Sequence, residues 1–363
     1  MLTLPDLIFK NLPADSLVRM QSVYRNSSVV VTGGASFIGS HLVDTLVELG
    51  AYVRVLDNLS SGKLEFVNES RQVNFIETDL RYRDSSEENL DGADIVFQLA
   101  AIHGGRGFIE TFKKELLANL TIDNNVFAAS AKYNVKNIIH ASSACAYPID
   151  LQNSESELNQ LAEYHGSMNS SETCFADGVY GWTKLIGEYQ LENQVKGTKT
   201  KGRSARIFTA YGERENESHA AIALMAKALL GADPYPIWGS GHQTRNFTYV
   251  ADTVSGLLLL GSDERDIDFD VFNIGTSNHI RVIDFVKQIF AETGWAPKDF
   301  DFQLDKPVGV ASRASDNSKI RNIFGWEPTV TISDGIGRTI DWYKNSASKP
   351  TSLMQLEERL VAL

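Results

Sequence analysis

The segment Tyr180-Gly181-Trp182-Thr183-Lys184 sets a phenol and an ammonium four residues apart, which on a helix puts both on one face, one turn apart. A cation beside a phenol lowers its pKa, so the phenol can take a proton near neutral pH. A nearby serine would hydrogen-bond the same substrate hydroxyl. The run Ile138-Ile139-His140-Ala141-Ser142-Ser143-Ala144-Cys145-Ala146-Tyr147-Pro148 offers that serine, Ser143, at the end of an apolar stretch, with a thiol two residues on. Cys145 has two readings. A thiol of ordinary pKa ~8.5 can be tuned toward neutrality and accept a proton; a free cysteine at a strand end is also commonly a small buried hydrophobe. Tyr-x-x-x-Lys alone recurs by chance, so its weight depends on what precedes it.

What precedes it is an anion site. Ser28-Val29-Val30-Val31 reads as a buried strand, followed by the glycine-rich turn Thr32-Gly33-Gly34-Ala35-Ser36-Phe37-Ile38-Gly39. Leu42, Val43, Leu46 and Leu49 then recur at helical spacing, closed by Gly50. Free amides and the helix dipole at such a turn point at a phosphate, and missing side chains let it approach. A second strand, Tyr52 to Leu56, ends in Asp57, eighteen residues past Gly39, near the ~20 at which a carboxylate holds a ribose hydroxyl pair. Together these predict a dinucleotide. Asp57 favours two free hydroxyls and repels a 2′-phosphate, which points to NAD over NADP, with Lys63 close enough to soften that preference. Lys184 is then placed to hold the nicotinamide ribose.

The elements that must position these residues alternate. Strand-like runs at Val73–Glu77, Ile95–Ala100, Asn137–Ser142 and Arg203–Phe208 are separated by helical stretches, notably Thr111–Tyr133 and Tyr180–Val195. That predicts an α/β fold: a Rossmann-like, doubly wound parallel sheet with helices on both faces, over residues 28–208. From 209 to 345 the pattern loosens, with helices at Ala220–Leu230 and Val282–Thr293, into a smaller α/β substrate lobe over the carboxyl ends of the strands, its boundary interleaved with the first domain. Residues 1–27 read as an N-terminal extension and 346–363 as a C-terminal tail. The 363 residues carry 43% hydrophobic and 22% charged side chains and a formal charge of −12, a globular composition that argues against nucleic-acid and anionic-membrane partners. An anionic substrate would need arginines gathered locally. Two cysteines, Cys145 and Cys174, predict a reducing, cytoplasmic setting without a disulfide framework. No apolar run reaches ~18 residues, Asp6 and Lys10 interrupt the one apolar stretch near the start, and no metal is expected.

On these motifs the chain resembles the extended short-chain dehydrogenase/reductases that act on nucleotide sugars, over about residues 28–345. Further matching residues are Asp57-Asn58-Leu59-Ser60-Ser61-Gly62, Asp79-Leu80, Leu99-Ala100-Ala101, Asn119, Arg206–Gly212, Gly239–Arg245 and Gly309–Arg313. Within that family it looks most like the GDP-mannose 3,5-epimerases, through Gly104-Gly105-Arg106-Gly107-Phe108-Ile109, Ser142–Cys145 with Tyr147-Pro148, and Arg313–Asn317. The resemblance implies NAD held by Gly33, Ser36, Phe37, Ile38, Gly39, Asp57, Asn58, Ser61, Asp79, Leu80, Leu99, Ala100, Ala101, Asn119, Tyr180 and Lys184. It implies a nucleotide-diphosphate sugar against Gly104, Gly105, Arg106, Ser143, Thr209, Arg245 and Arg313, and a homodimer. The implied reaction oxidises C4 of the hexose transiently, acidifying the C3 and C5 hydrogens, with Ser143, Cys145, Tyr180, Lys184 and His219 catalytic.

Departures from the family pattern sharpen the reading. Dehydratases of the family carry Asp-Glu where this chain has Ala144-Cys145, so dehydration lacks its proton donor. His219 falls where the 3,5-epimerases place a lysine acid; an imidazole near neutrality can do that work, or it caps a helix or meets solvent. Ser36 replaces the second fingerprint glycine, which predicts a shifted turn or weaker binding. Thr209 replaces an asparagine. His103 and Arg106 replace apolar residues, and Arg106 either binds a uronic carboxylate or faces solvent. Arg245 and Arg313 suit a diphosphate, with surface ion pairing as the alternative. The expectation is C3/C5 epimerisation, ahead of C4 epimerisation (uronic acids included), decarboxylation or a non-catalytic NAD-binding role.

Overall fold

The computed structural model describes residues 2–153, 160–168, 175–346 and 349–361. Its centre is a seven-stranded, wholly parallel sheet: β1 (Ser28–Thr32), β2 (Tyr52–Asp57), β3 (Val73–Glu77), β4 (Ile95–Gln98), β5 (Asn137–Ser143), β6 (Lys201–Ile207) and a last strand, Phe269–Ile274. Across the sheet the order is Phe269–Ile274, β6, β5, β4, β1, β2, β3. The order reverses beside β1, and the crevice at the carboxyl ends of β1 and β4 is where such sheets bind ligands. Both faces are covered, so alternate residues of one strand serve two cores. Val29 and Val31 join the cluster containing Leu42, Leu46 and Leu257, while Val30 packs with Val96, Ile122, Val126 and Leu191.

The second region rejoins the first twice. Helix Val250–Gly261 is buried along its whole length, and the strand Phe269–Ile274 completes the sheet. Ala220–Leu229 and Val282–Thr293 fold as helices beside the cavity described below.

Two sequence expectations need correction. Residues 2–27 are no appendage: helices Leu4–Asn11 and Ala14–Tyr24 bury Leu4, Ile8, Met20 and Tyr24 in the main core, and the Tyr24 hydroxyl donates to Leu258 O (2.7 Å). The helix expected over 111–133 is three pieces, Arg106–Thr111, Lys113–Leu116 and Ala118–Lys132, broken at Phe112, whose ring packs tilted against Phe108. The tail forms helix Leu353–Val361, and Leu356 reaches the core. Among the described residues, no helix is long and apolar enough to cross a membrane.

Candidate active site

The glycine-rich turn is locked by contact. Gly33 has φ +66° and lies against Ala100 N, while a Cβ on Gly39 would stand 2.1 Å from Gly33 O. Ser36, the position expected to disturb the turn, is accommodated: its backbone is extended and its hydroxyl folds under to donate to Gly33 O (2.5 Å). Among the described residues no side chain caps helix Phe37–Glu48, so its first amides remain for an anion. Asp57 is 7% exposed and accepts from the amides of Ala35 (3.0 Å) and Leu59 (2.9 Å). Burial pushes its carboxyl up, against the pull of those amides. Asn58 accepts from Ser60 N, and Ser61 lies with Ser36 and Phe37 in one cleft. Asp79 is gripped by Arg81, and Leu80 is buried below it. Leu99 and Ala100 give their amides to Thr32 Oγ1, and Ala101 lines the cavity. Asn119 spends both ends of its amide on Ile102, as donor (2.9 Å) and acceptor (2.7 Å). It braces the loop after β4 from behind.

From this crest opens a cavity of about 390 Å³ lined by Ser143, Cys145, Tyr180, Lys184, His219 and Arg313. Helix Gly178–Val195 carries Tyr180 and Lys184. It is pinned two turns below Tyr180, where Glu188 takes Arg206 Nε (2.8 Å), Arg206 Nη2 (2.7 Å) and Ser142 Oγ (2.5 Å). That clamp ties the helix to the end of β5, so Ser143 and Tyr180 line the same cavity. Ser143 Oγ also accepts from Cys145 N (3.1 Å). The expectation for the phenol is corrected here. Its pKa is raised, by burial first and then by Cys145 and Asp123, with the nearby Ser143 the one opposing influence. Lys184 Nζ lies 5.8 Å from the tyrosine ring centroid, and burial pushes the ammonium itself down. Desolvation of both groups outweighs the pairing that the spacing suggested.

At the sugar-facing wall, Asp177 sits between two arginines. Arg106 Nη1 donates to Oδ1 and Arg313 Nη2 to Oδ2, both at 2.8 Å. Arg106 therefore points inward; its other partner is Glu110 (2.5 Å). Arg313 also donates through Nε to Gln152 Oε1 (2.6 Å) and through Nη1 to Cys145 Sγ (3.3 Å). Arg313 thus stands at the thiol. Arg245 has no carboxylate partner among the described residues and donates to Thr244 O and Val308 O (2.6 Å each). Burial and the neighbouring Arg313 push it down to about 10. Thr209 lines the cavity. Cys174 lies outside the described residues.

His219 departs from its expected state. Burial, then the charge of His103, pushes it down to about 3, so its ring is neutral at pH 7. The two imidazoles stack with centroids 5.6 Å apart, and the Gly104-Gly105 loop lies against Ser218 and His219. Glu215 Oε1 is 3.5 Å from His219 Nδ1, and burial pushes this carboxyl well above the usual range.

Residues 29–275 match the model of the NAD dependent epimerase/dehydratase family. The chain is 31% identical over 333 residues to GDP-mannose 3,5-epimerase 1 of Oryza sativa subsp. japonica, covering 88% of this chain and 82% of that one. The chain belongs to this family. Its fold is similar to that of UDP-glucose 4-epimerase from Thermotoga maritima, solved with UDP-glucose (TM-score 0.76, 28% identity, 87% of this chain and 98% of that). It is likewise similar to UDP-glucuronic acid 4-epimerase from Bacillus cereus, solved with UDP-glucuronic acid and NAD (TM-score 0.75, 26% identity, 87% and 99%).

As an NAD-dependent family member the chain has a crest that fits its cofactor: an uncapped helix start for the pyrophosphate and the Asp57 carboxylate at the end of β2. Sequence reasoning missed Asp177 and Glu215. Asp177 carries one available signal, its place three residues before Tyr180 at the N-cap of the helix. Glu215 carries none, being one of several acids in Glu213–Glu217.

Proposed function

We propose that this family member is a nucleotide-sugar epimerase that oxidises C4 of a nucleoside-diphosphate hexose and moves protons at C3 and C5. NAD, when bound, supplies the hydride acceptor. Tyr180 with Ser143 takes the C4 hydroxyl proton, and Lys184 holds the cofactor ribose. The observation that carries the C3/C5 reading is Arg313 Nη1 at 3.3 Å from Cys145 Sγ, in the same wall as Ser143 and Tyr180. A thiol partnered by a guanidinium is a base beside the transient ketone. Ala144 offers a methyl group where dehydration needs an acid. His219, which lines the same cavity with Glu215 beside it, returns a proton to carbon. Arg245, which has no carboxylate partner among the described residues, binds the diphosphate. The Trp182 and Tyr189 side chains, exposed on helix Gly178–Val195 at i and i+7, support pairing with a second copy, and a reducing cytoplasm would keep Cys145 a thiol.

One observation favours a second reading. Arg106 faces the cavity, and the Bacillus cereus relative was solved with a uronic acid nucleotide; that would make the enzyme a C4-epimerase of UDP-uronic acids. Incubation with GDP-mannose, UDP-glucose and UDP-glucuronic acid in D2O separates the two. Carbon-bound deuterium at C3 or C5 supports the proposal, whereas turnover without deuterium assigns a C4-only reaction.

A further inference from the structure

Behind Lys184, away from the cavity, runs a buried polar chain that the proposed chemistry leaves unused. Asp123, on helix Ala118–Lys132, is 1% exposed and His140, on β5, is fully buried. Asp123 Oδ2 stands 3.5 Å from His140 Nε2, and neither atom has a hydrogen-bond partner among the described residues. On one side Asp123 Oδ1 accepts from Gln98 Nε2 (3.0 Å), and Gln98 Oε1 accepts from Thr32 Oγ1 (2.5 Å), the same oxygen that takes the amides of Leu99 and Ala100. On the other, His140 Nδ1 meets Ser204 Oγ (3.2 Å). The chain therefore ends on the loop beside the glycine-rich turn.

The catalytic helix is bare where it crosses this pair. A Cβ at Gly187, one turn beyond Lys184, would lie 2.8 Å from Asp123 Oδ2 and 2.9 Å from the His140 ring. A carboxylate kept in so dry a space needs cations around it. Lys184 is one, on the same helix face as Gly187. Burial pushes Asp123 up, but His140 and Lys184 outweigh it and the carboxyl lies below its usual range; Asp123 in turn opposes the fall of Lys184. Tyr180 on the same helix and His103 from the loop after β4 are the other titratable groups near Lys184.

We propose that Asp123 is a positioning residue, the buried counter-ion of the Lys184 ammonium behind the cofactor ribose, with His140 packed beside it. This rests on the proposed role of Lys184 and on no particular sugar. NADH titrated into the full chain by fluorescence, between about pH 6.5 and pH 9, reads it without substrate. The wild type should bind with nearly constant affinity. Asp123→Asn should lose about tenfold as pH rises, because its lysine sheds a proton that the ribose hydrogen bonds need. Asp123→Ser, smaller and also uncharged, should do the same and serves if the first variant fails to fold. Adding Lys184→Met to either should remove the pH dependence. A folded Asp123 variant whose affinity changes by one factor at every pH would make Asp123 mere scaffolding and overturn the proposal. Failure of the wild type to bind NADH would overturn the cofactor role of Lys184, and this proposal with it, whereas a C4-only reaction would leave it standing.

Discussion

The cofactor crest and the sugar-facing wall are built in opposite ways. Around Gly33, Asp57 and Asn119 the polar side chains are answered by nearby backbone: Asp57 by Ala35 and Leu59, Asn119 by Ile102, Ser36 by Gly33. The facing wall collects Arg106, Cys145, Asp177, Glu215, His219, Arg245 and Arg313 from distant segments. There Arg106 Nε, Glu215 Oε2 and His219 Nδ1 are buried without hydrogen-bond partners among the described residues. Buried polar groups are costly unless paired. The crest is a finished scaffold, and the wall holds unmet donors and charges that a polar, anionic sugar nucleotide would satisfy.

Tyr180 stands where the two regions meet, and its removal should give the largest effect. Tyr180→Phe takes away the base of the redox step and should lower turnover by roughly 10²–10⁴-fold or more. Sugar-nucleotide binding by calorimetry should be roughly unchanged. Strong turnover in this variant would separate the chemistry from the crest altogether.

The contrast in burial predicts a contrast in stability. Asp177, with a side chain 4% exposed between two arginines, should cost about 3–5 kcal/mol when changed to Asn, since both guanidinium groups lose their charge partner. Asp79 faces the half-exposed Arg81, and Asp79→Asn should cost no more than about 1 kcal/mol. Denaturant unfolding of both variants tests this; equal costs would erase the distinction.

A smaller effect concerns the join between cofactor helix and lobe. His41 is 4% exposed, its Nε2 donates to Glu213 O (2.9 Å), and burial with Arg214 nearby pushes it down to about 3. The unfolded chain binds a proton near pH 6.5 that the fold excludes, so this contribution is complete above that value and falls away as pH drops toward 3. Between pH 7 and pH 5 it should amount to about 2 kcal/mol. Thermal unfolding of His41→Gln should show a correspondingly shallower acid dependence than the wild type.

Much of the crest was legible because its signals are local. β1, the glycine turn, its helix and Asp57 fall within thirty residues, and Val73–Glu77 was read to the residue. The amphipathic helices before β1 were misjudged because their partner, helix Val250–Gly261, lies more than two hundred positions away. At the wall, single arginines and acids carry no spacing pattern, so Asp177 and Glu215 went unseen and Arg313 was assigned to the diphosphate without its place at Cys145. The states of Tyr180 and His219 were misjudged for a related reason. Their pKa values are governed by burial, which depends on the assembled lobes.

The central claim is that the wall moves a proton which the crest has made acidic. Cys145→Ser keeps the size and removes the acidity of the thiol. The decisive measurement follows bound NADH by absorbance and carbon-bound deuterium by NMR in the same D2O reaction, with whichever sugar nucleotide the wild type turns over. The account predicts that the variant still forms NADH transiently through Tyr180 while deuterium at C3 and C5 is lost. Deuterium entering at the wild-type rate would contradict it and place the base elsewhere.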